Sequence, residues 1–305
     1  MAKAKTVAKS KLARSKIIFY ACIVALPILQ FAIFYIGVNV NSFLLAFQTW
    51  DGELGKYVFN GAGDFWASFK DVLDRLIHGK DQLNYALKNT VTLFIIGTLF
   101  GTTLAIVFSY YIYKKHAGSR FFKLVLFLPN VVSCVTLAIM LLYFTTDASK
   151  ALIGIELITD TKTKLPTLMF ISIMLSFGVQ VLIYSGAMSG ISDSISEAAV
   201  LDGITPLKEL ILIDVPMIFP TISVFIVSSI AGAFMNQMNL FNMYGDAVPD
   251  SKIITIGYYL YRNMLGAVNA DYPYYAAFGL VLTFITVPLA FITKFLLDKF
   301  GPSVD

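Results

Sequence analysis

Six long apolar stretches alternate with short polar segments along this chain. Each stretch holds enough apolar residues to cross the roughly 30 Å of membrane hydrocarbon as a helix, which takes about 20 residues. We therefore predict an all-α integral membrane protein with six spans, numbered first to sixth: 17–38, 90–113, 121–144, 166–188, 216–235 and 274–297. Pro27, Pro129 and Pro288 fall inside these stretches and predict kinks, which membrane helices tolerate.

The composition agrees with a surface that faces lipid. Hydrophobic residues make up 57% of the 305 residues and charged residues only 14%, whereas about a quarter of a soluble domain is charged. The net charge of +4 gives little support to a nucleic-acid partner, and we expect none. Cys22 and Cys134 both lie in apolar stretches, so the sequence predicts neither a disulfide framework nor a zinc site.

Basic residues predict the orientation of the spans. Residues 1–16 hold six lysines or arginines and no acid, which marks a cytoplasmic arm expected to meet anionic lipid. The apolar run at 17–38 is too long for a cleaved signal peptide and is predicted to remain as the first span. Alternation then predicts an extracytoplasmic loop at 39–89, a five-span core at 90–298 and a cytoplasmic tail at 299–305.

The most structured polar insert lies in the cytoplasmic loop 189–215. Ser194 and Glu197 have the spacing of a capping box, and Gly203 suits the left-handed residue that ends a helix. Thr205 followed by proline predicts the start of a second helix. This helix-turn-helix could dock into a groove on a partner, or it could be an amphipathic connector on the membrane surface, and periodicity leaves both open.

The sequence of the insert, EAAVLDGITPLKELILIDVP at 197–216, resembles the coupling loop of permease subunits in ATP-binding-cassette importers. That family's pattern is EAA, three residues, G, nine residues, I, one residue, then L-P, and Val215 replaces the leucine here. The likeness extends from about residue 59 to the C-terminus and includes Phe177 and Gly178. It is greatest to maltose-type carbohydrate permeases of the first-subunit branch, although their Gly-Gly-Pro reads Ala-Val-Pro at 247–249.

This resemblance implies a type I importer permease fold in a bacterial or archaeal cell membrane, with both termini cytoplasmic. The partners it implies are a different second permease, two ATPase subunits and an extracytoplasmic solute-binding protein. ATP and magnesium would bind the ATPase subunits, because this chain has no G-x-x-x-x-G-K-[ST] motif and needs no cofactor of its own. The residues implied to contact the ATPase are Glu197, Ala198, Ala199, Asp202 and Gly203.

Two of these residues carry more specific expectations. We expect Glu197 to cap its helix and face a basic group on the ATPase. We expect Gly203 to set the turn, so that Gly203→Pro leaves membrane insertion intact and abolishes uptake.

A polar stripe marks the fourth span. Ser172, Ser176, Gln180 and Tyr184 follow one another at intervals of four residues and share one helix face. Hydroxyl and amide groups suit the hydrogen-bonding of a sugar, although bonding between helices is the alternative for each residue. Family members contact sugar from the fourth and fifth spans. We select as pathway residues Ser176, Gln180, Ser229 and Asn236.

Other functions find less support in the sequence. An importer of a non-sugar solute, such as a glycerophosphodiester or a polyamine, should show charged residues at mid-depth in the spans. A membrane enzyme or an assembly scaffold should show catalytic groups that converge at one face. The two histidines, His78 and His116, fall in predicted loops on opposite sides of the membrane, so we predict neither a catalytic nor a metal site.

Overall fold

A computed structural model describes residues 2–61, 63–78, 82–245 and 250–302, with side chains from Lys16 onward. Six helices in it are long and apolar enough to span a membrane, which confirms the predicted class. From here the names first to sixth span refer to these helices: Lys16–Leu45, Gln82–Tyr113, Cys134–Ile153, Lys164–Met188, Phe219–Tyr244 and Tyr272–Phe300.

Shorter elements connect the spans or modify them. An antiparallel hairpin joins β1 (Gln48–Asp51) to β2 (Lys56–Phe59). Other short helices are Ala67–His78, Ser119–Phe127, Asp193–Leu201, Pro206–Glu209, Val215–Met217, Leu240–Tyr244 and Ile256–Leu265. Tighter 3₁₀ turns cover Leu128–Asn130, Ala233–Met235 and Ser251–Ile253, and wider π turns cover Phe31–Gly37, Gly97–Gly101, Phe144–Ala148 and Leu210–Asp214.

The chain divides into two compact units. One comprises Met1–Val72 and Ala267–Val281. In this unit the side chains from Lys16 to Leu44 are exposed, and an aromatic cluster forms around Phe47, whose ring lies 4.7 Å from that of Phe65. This cluster fixes the hairpin-bearing segment after the first span.

The second unit comprises Leu73–Gly266 and Leu282–Asp305 and contains the candidate site. Its second and fourth spans pack closely because small residues recur every four positions along the second span: Gly97, Gly101, Ala105 and Ser109. A Cβ at either glycine would lie within 3.7 Å of Ile173, and the Ser109 hydroxyl donates to the Val181 carbonyl at 3.0 Å. In lipid, small residues of this kind let two helices approach closely.

Two predicted boundaries around the outer loop 39–89 are wrong. The first span continues as helix to Leu45, and the second begins at Gln82 rather than at residue 90. Most polar residues between 82 and 88 are exposed on this helix, and the buried Asn89 is satisfied by tertiary contacts. The buried Asn89 amide donates to the carbonyls of Lys252 and Ile254 at 2.7 and 2.9 Å.

The predicted third span 121–144 is also wrong, because it is not one helix. The helix Ser119–Phe127 ends before a 3₁₀ turn that holds Pro129, and the membrane-capable helix starts at Cys134. Proline lacks the backbone N–H that would continue the hydrogen-bonding of the helix. Pro27 and Pro288 lie within helices that continue past them, so of the three prolines only Pro129 marks an end.

Candidate functional site

The loop 189–215 forms the predicted helix-turn-helix. Its first helix, Asp193–Leu201, ends in a Schellman motif, in which the Gly203 N–H donates to the Val200 carbonyl and the Ile204 N–H to the Ala199 carbonyl, each at 3.0 Å. Gly203 has φ +70°, which confirms the left-handed turn expected there. Another side chain at this position would cost about 1–2 kcal/mol.

The predicted helix start is wrong by two residues. Ser192, not Ser194, is the N-cap, and its hydroxyl lies 2.8 Å from that of Ser194 without capping a backbone N–H. Glu197 therefore lies in the middle of the helix and does not cap it. Glu197 is exposed, as a residue that meets another protein must be.

The remaining predicted coupling residues differ in burial. Ala198, Asp202 and Gly203 are exposed, whereas Ala199 is buried and packs inward. The loop also exposes large apolar side chains that solvation alone would not favour: Val200, Leu201, Leu207, Ile211 and Leu212. Several exposed apolar side chains on one loop indicate an interaction site with protein or membrane.

The second loop helix begins as predicted, with Thr205 at its N-cap and Pro206 at its first position. It continues through the π turn Leu210–Asp214 to Met217. This helix contains Glu209, which was not selected as a functional residue from the sequence. Glu209 is only 5% exposed, so its carboxylate must find its partners inside the protein.

Four side chains form what we call the Glu209 cluster: Lys114, Ser196, Tyr110 and Glu209. Glu209 Oε1 accepts from Lys114 Nζ at 2.6 Å and from the Ser196 hydroxyl at 2.7 Å, while Oε2 accepts from the Tyr110 hydroxyl at 3.1 Å. Lys114 Nζ also donates to Ser196 Oγ at 2.6 Å. Burial would raise the pKa of Glu209, but hydrogen bonds from Lys114, Ser196 and Tyr110 outweigh it and lower that pKa.

Asp214 lies one helical turn further on and differs from Glu209 in its hydrogen bonding. It is 1% exposed, and its Oδ2 atom has no hydrogen-bond partner among the described residues. Burial and the nearby Glu209 charge raise the pKa of Asp214 to about 6, against the opposing effect of Lys114. Asp214 is therefore the titratable group of the loop that changes charge near neutral pH.

The four predicted pathway residues line one cavity of about 200 Å³ between the second, fourth and fifth spans. Ser172 lines it as well, which places most of the predicted stripe on a common surface. The lining is Leu93, Phe94, Gly97, Thr98, Thr102, Ser172, Ile173, Ser176, Gln180, Phe225, Ser229, Gly232, Ala233 and Asn236. None of these residues is ionisable.

Hydrogen bonding differs among the cavity residues. Ser176 and Ser229 donate to carbonyls of their own helices, at 3.0 and 2.8 Å. Asn236 Nδ2 lies 3.5 Å from Ser172 Oγ. Gln180 Oε1 is buried and has no partner among the described residues, although an unpaired buried acceptor costs about 1–3 kcal/mol. Gln180 therefore has hydrogen-bonding capacity that the described residues do not use.

The sequence reading missed one wall of the cavity and included one residue outside it. Thr98 and Thr102 line the cavity from the second span, and their spacing of four residues is a signal that the stripe search could have used. Tyr184 ends the predicted stripe but does not line the cavity; its ring packs edge-on against Phe225 in the core, with centroids 5.2 Å apart.

The described residues contain no cluster of three or more histidine, cysteine, aspartate or glutamate side chains that could hold a metal ion. The exposed His78 side chain pairs with Asp74, one turn away on the same helix, and Nδ1 lies 3.0 Å from Oδ1. That contact is an ordinary surface pair and carries no catalytic chemistry.

A chain with six membrane-capable helices, a cavity without ionisable lining residues and an exposed helix-turn-helix is typical of a membrane transport subunit. Residues 97–305 match the model of the family described as "binding-protein-dependent transport system inner membrane component". The chain belongs to this family, which confirms the resemblance on which the sequence prediction rested. It is a multi-pass membrane permease and a non-catalytic transport subunit, not an enzyme.

Individual relatives agree with this assignment. The chain is 28% identical to the probable ABC transporter permease protein YurN of Bacillus subtilis, covering 91% of this chain and 94% of that protein. It is 24% identical to the lactose transport system permease protein LacF of Rhizobium radiobacter, covering 88% and 90%.

Solved structures support the fold. A permease chain of a bacterial alginate ABC transporter, in complex with alginate pentasaccharide-bound periplasmic protein, superposes with a TM-score of 0.74. The two chains are 20% identical, with coverage of 95% of this chain and 97% of that one. This likeness confirms the predicted type I importer permease fold.

Proposed function

We propose that this chain lines half of the translocation pathway of an importer for an uncharged carbohydrate, most simply an oligosaccharide. The observation that carries the proposal is the convergence of Ser176, Gln180, Ser229 and Asn236 on one cavity without ionisable side chains. Hydroxyl and amide groups beside apolar surface are what a sugar requires. The lactose permease relative adds support, since lactose is an uncharged carbohydrate. The alginate transporter imports an acidic polysaccharide and supports carbohydrate only as the general class of solute.

The partners follow from the same proposal. A different six-span permease supplies the other half of the pathway, two ATPase subunits bind ATP and magnesium, and an extracytoplasmic binding protein delivers the solute. The basic residues of the arm and of the loop after the second span support a cytoplasmic location for both termini, with the arm against anionic lipid.

Coupling runs through the loop helix Asp193–Leu201. Its exposed residues Glu197, Ala198, Asp202 and Gly203, with the neighbouring apolar side chains, dock into a cleft of an ATPase subunit. ATP binding draws the ATPase subunits together and moves the loop. The spans then reorient and open the cavity to the opposite side of the membrane, so that access alternates.

A substitution at the turn tests this function. Gly203→Pro cannot keep φ +70°, because proline fixes φ near −65°. We expect the variant to insert into the membrane normally and to lose uptake of radiolabelled maltose, lactose or chitobiose in vesicles. Gly203→Asn is the matched control, since asparagine tolerates the left-handed conformation. Normal uptake by Gly203→Pro would contradict the proposal.

A charged solute is the alternative within transport. A glycerophosphodiester, a polyamine or an acidic sugar would need opposite charges along its path, and the described cavity lining offers none from this chain. Competition by neutral and by charged solutes in the same vesicles separates the two cases. Inhibition by glycerophosphodiester alone would favour the alternative.

A further inference from the structure

We propose that the Glu209 cluster is the contact through which the coupling loop moves the second span, with Lys114 and Glu209 as its positioning residues. This inference rests on the proposed function, because it assigns a role within the same coupling movement. The exposed residues that face the ATPase cannot transmit movement to the second span by themselves. The second span is not adjacent to the loop in sequence.

The connectivity of the loop creates the need for such a contact. The chain itself joins the loop to the fourth span at Met188 and to the fifth span at Phe219. The second span has no such connection, yet it supplies Thr98 and Thr102 to the cavity wall. Movement of the loop therefore reaches this wall only through non-covalent contacts.

The Glu209 cluster supplies the missing connection. Ser196 lies on the first loop helix, beside Glu197, and Glu209 lies on the second loop helix. Tyr110 lies in the last turn of the second span and Lys114 directly follows that span. The carboxylate on the second loop helix therefore binds donors from the first loop helix and from the end of the second span, at distances between 2.6 and 3.1 Å.

The second span can carry a displacement from the cluster to the cavity. It is helical throughout Gln82–Tyr113, and Thr98 lies sixteen positions before Lys114, or roughly 24 Å along a helix. Its small residues hold it against the fourth span, as described above. A pull on Lys114 therefore moves the Thr98 wall together with the fourth span.

The cluster combines burial with a short ionic contact. The Lys164–Asp250 pair is comparably buried, with side chains 9% and 25% exposed, but its charged atoms lie 3.9 Å apart. The side chains of Lys114 and Glu209 are 20% and 6% exposed. Those of Lys150 and Glu156 form a pair of the same length, 2.6 Å, but are 65% and 34% exposed. Water and salt weaken an exposed pair, whereas a buried pair keeps its geometry during movement.

The test uses a double substitution, because removing one partner leaves a buried charge unpaired and disturbs folding. Lys114→Met together with Glu209→Met removes both charges and keeps the volume apolar. Lys150→Met with Glu156→Gln is the matched control at the exposed pair. Lys114→Glu with Glu209→Lys restores opposite charges and tests for rescue.

The readout is the accessibility of the cavity in the assembled transporter, purified through a tag on this chain. All variants carry Cys22→Ser and Cys134→Ser, with Ser176→Cys as the reporter in the cavity. The rate at which a membrane-impermeant maleimide labels the reporter is measured with and without ATP and vanadate. ATP hydrolysis is measured on the same samples.

We expect nucleotide to change the labelling rate by about tenfold in the parent and in the control. In the double methionine variant the change should be less than about twofold. ATP hydrolysis by that variant should stay within about twofold of the parent value. The charge exchange should restore part of the response. A full response in the methionine variant would overturn the inference, and so would a parallel loss of response and hydrolysis. If the parent gives no response, the proposed function itself fails.

Discussion

The coupling loop and the cavity lie in the same unit of the chain, but their side chains have different chemistry. The loop is fixed by ionised groups, with the Lys114–Glu209 pair buried and Asp214 beside it. The cavity wall holds hydroxyl, amide and apolar groups, and its described lining includes no ionisable side chain. The charged contacts of the loop favour one fixed geometry, whereas the neutral groups of the cavity wall can exchange one hydrogen-bond partner for another.

The difference has an energetic reason. A buried carboxylate with several donors keeps one arrangement, because each alternative leaves a charge unpaired and costs several kcal/mol, about 3–5 for a broken buried pair. Neutral hydrogen bonds contribute only about 0.5–1.5 kcal/mol each and can be exchanged for bonds to a solute. The loop is therefore suited to transmit movement, and the cavity to bind and release.

The largest expected effect is a loss of stability when the packing between the fourth span and the helix Ser119–Phe127 is disrupted. A Cβ at Gly178 would lie 1.9 Å from the Leu126 carbonyl oxygen, so Gly178→Leu forces the helix Ser119–Phe127 away from the fourth span. We expect a loss of at least about 3 kcal/mol and little folded protein in the membrane, measured by size-exclusion chromatography. Gly186→Leu, in the same span with open space around it, should behave normally. A monodisperse Gly178→Leu variant would contradict this packing.

The next prediction concerns how stability depends on pH, which tests the loop alone because the described cavity lining has no ionisable side chain. The pKa of Asp214 rises from 3.8 to about 6, so the folded protein binds this proton more tightly than the unfolded chain. The stabilisation is complete below pH 3.8 and is lost as the pH rises through 6. Asp214→Asn stays neutral and should be more stable than the parent at pH 7, by up to about 3 kcal/mol.

Melting temperatures of the solubilised protein across pH 4 to 8 measure this difference. The advantage of Asp214→Asn should grow as the pH rises and vanish at the acid end. Asp202→Asn, at an exposed position of the same loop, is the control. An advantage that does not vary with pH would show that Asp214 is not the titrating group.

The smallest effect concerns the cavity alone. Gln180→Leu removes the amide whose oxygen lacks a partner, so a solute loses one hydrogen bond and uptake should fall about two- to tenfold. Hydrolysis of ATP by the assembled transporter should stay near the parent value. The matched control is Ser228→Ala, because Ser228 is exposed outside the cavity lining. Equal uptake by Gln180→Leu and the parent would remove Gln180 from the pathway.

Local patterns were enough to predict the parts of the fold that depend on local chemistry. Apolar length predicted the number of membrane-capable helices, although it placed the third one too early. Gly203 predicted the turn, and Thr205-Pro206 predicted the start of the second loop helix. The stripe at intervals of four residues predicted one wall of the cavity, because residues at that spacing share a helix face.

Features that depend on distant contacts were missed. Glu209 looked like an ordinary polar loop residue, since its partners Lys114 and Tyr110 are about a hundred positions away in the sequence. The start of the second span at Gln82 was missed because Asn89 finds its partners at Lys252 and Ile254. The start of the first loop helix was misplaced because several serines there can each act as the N-cap.

The uncharged wall of the cavity also has an electrical consequence. A membrane potential does work of about 2.3 kcal/mol per elementary charge per 100 mV, and only on charges that cross the field. The proposed neutral cargo carries none, and the described lining from this chain contributes none. Passage of such a cargo along this wall should therefore do no electrical work, whatever the membrane potential.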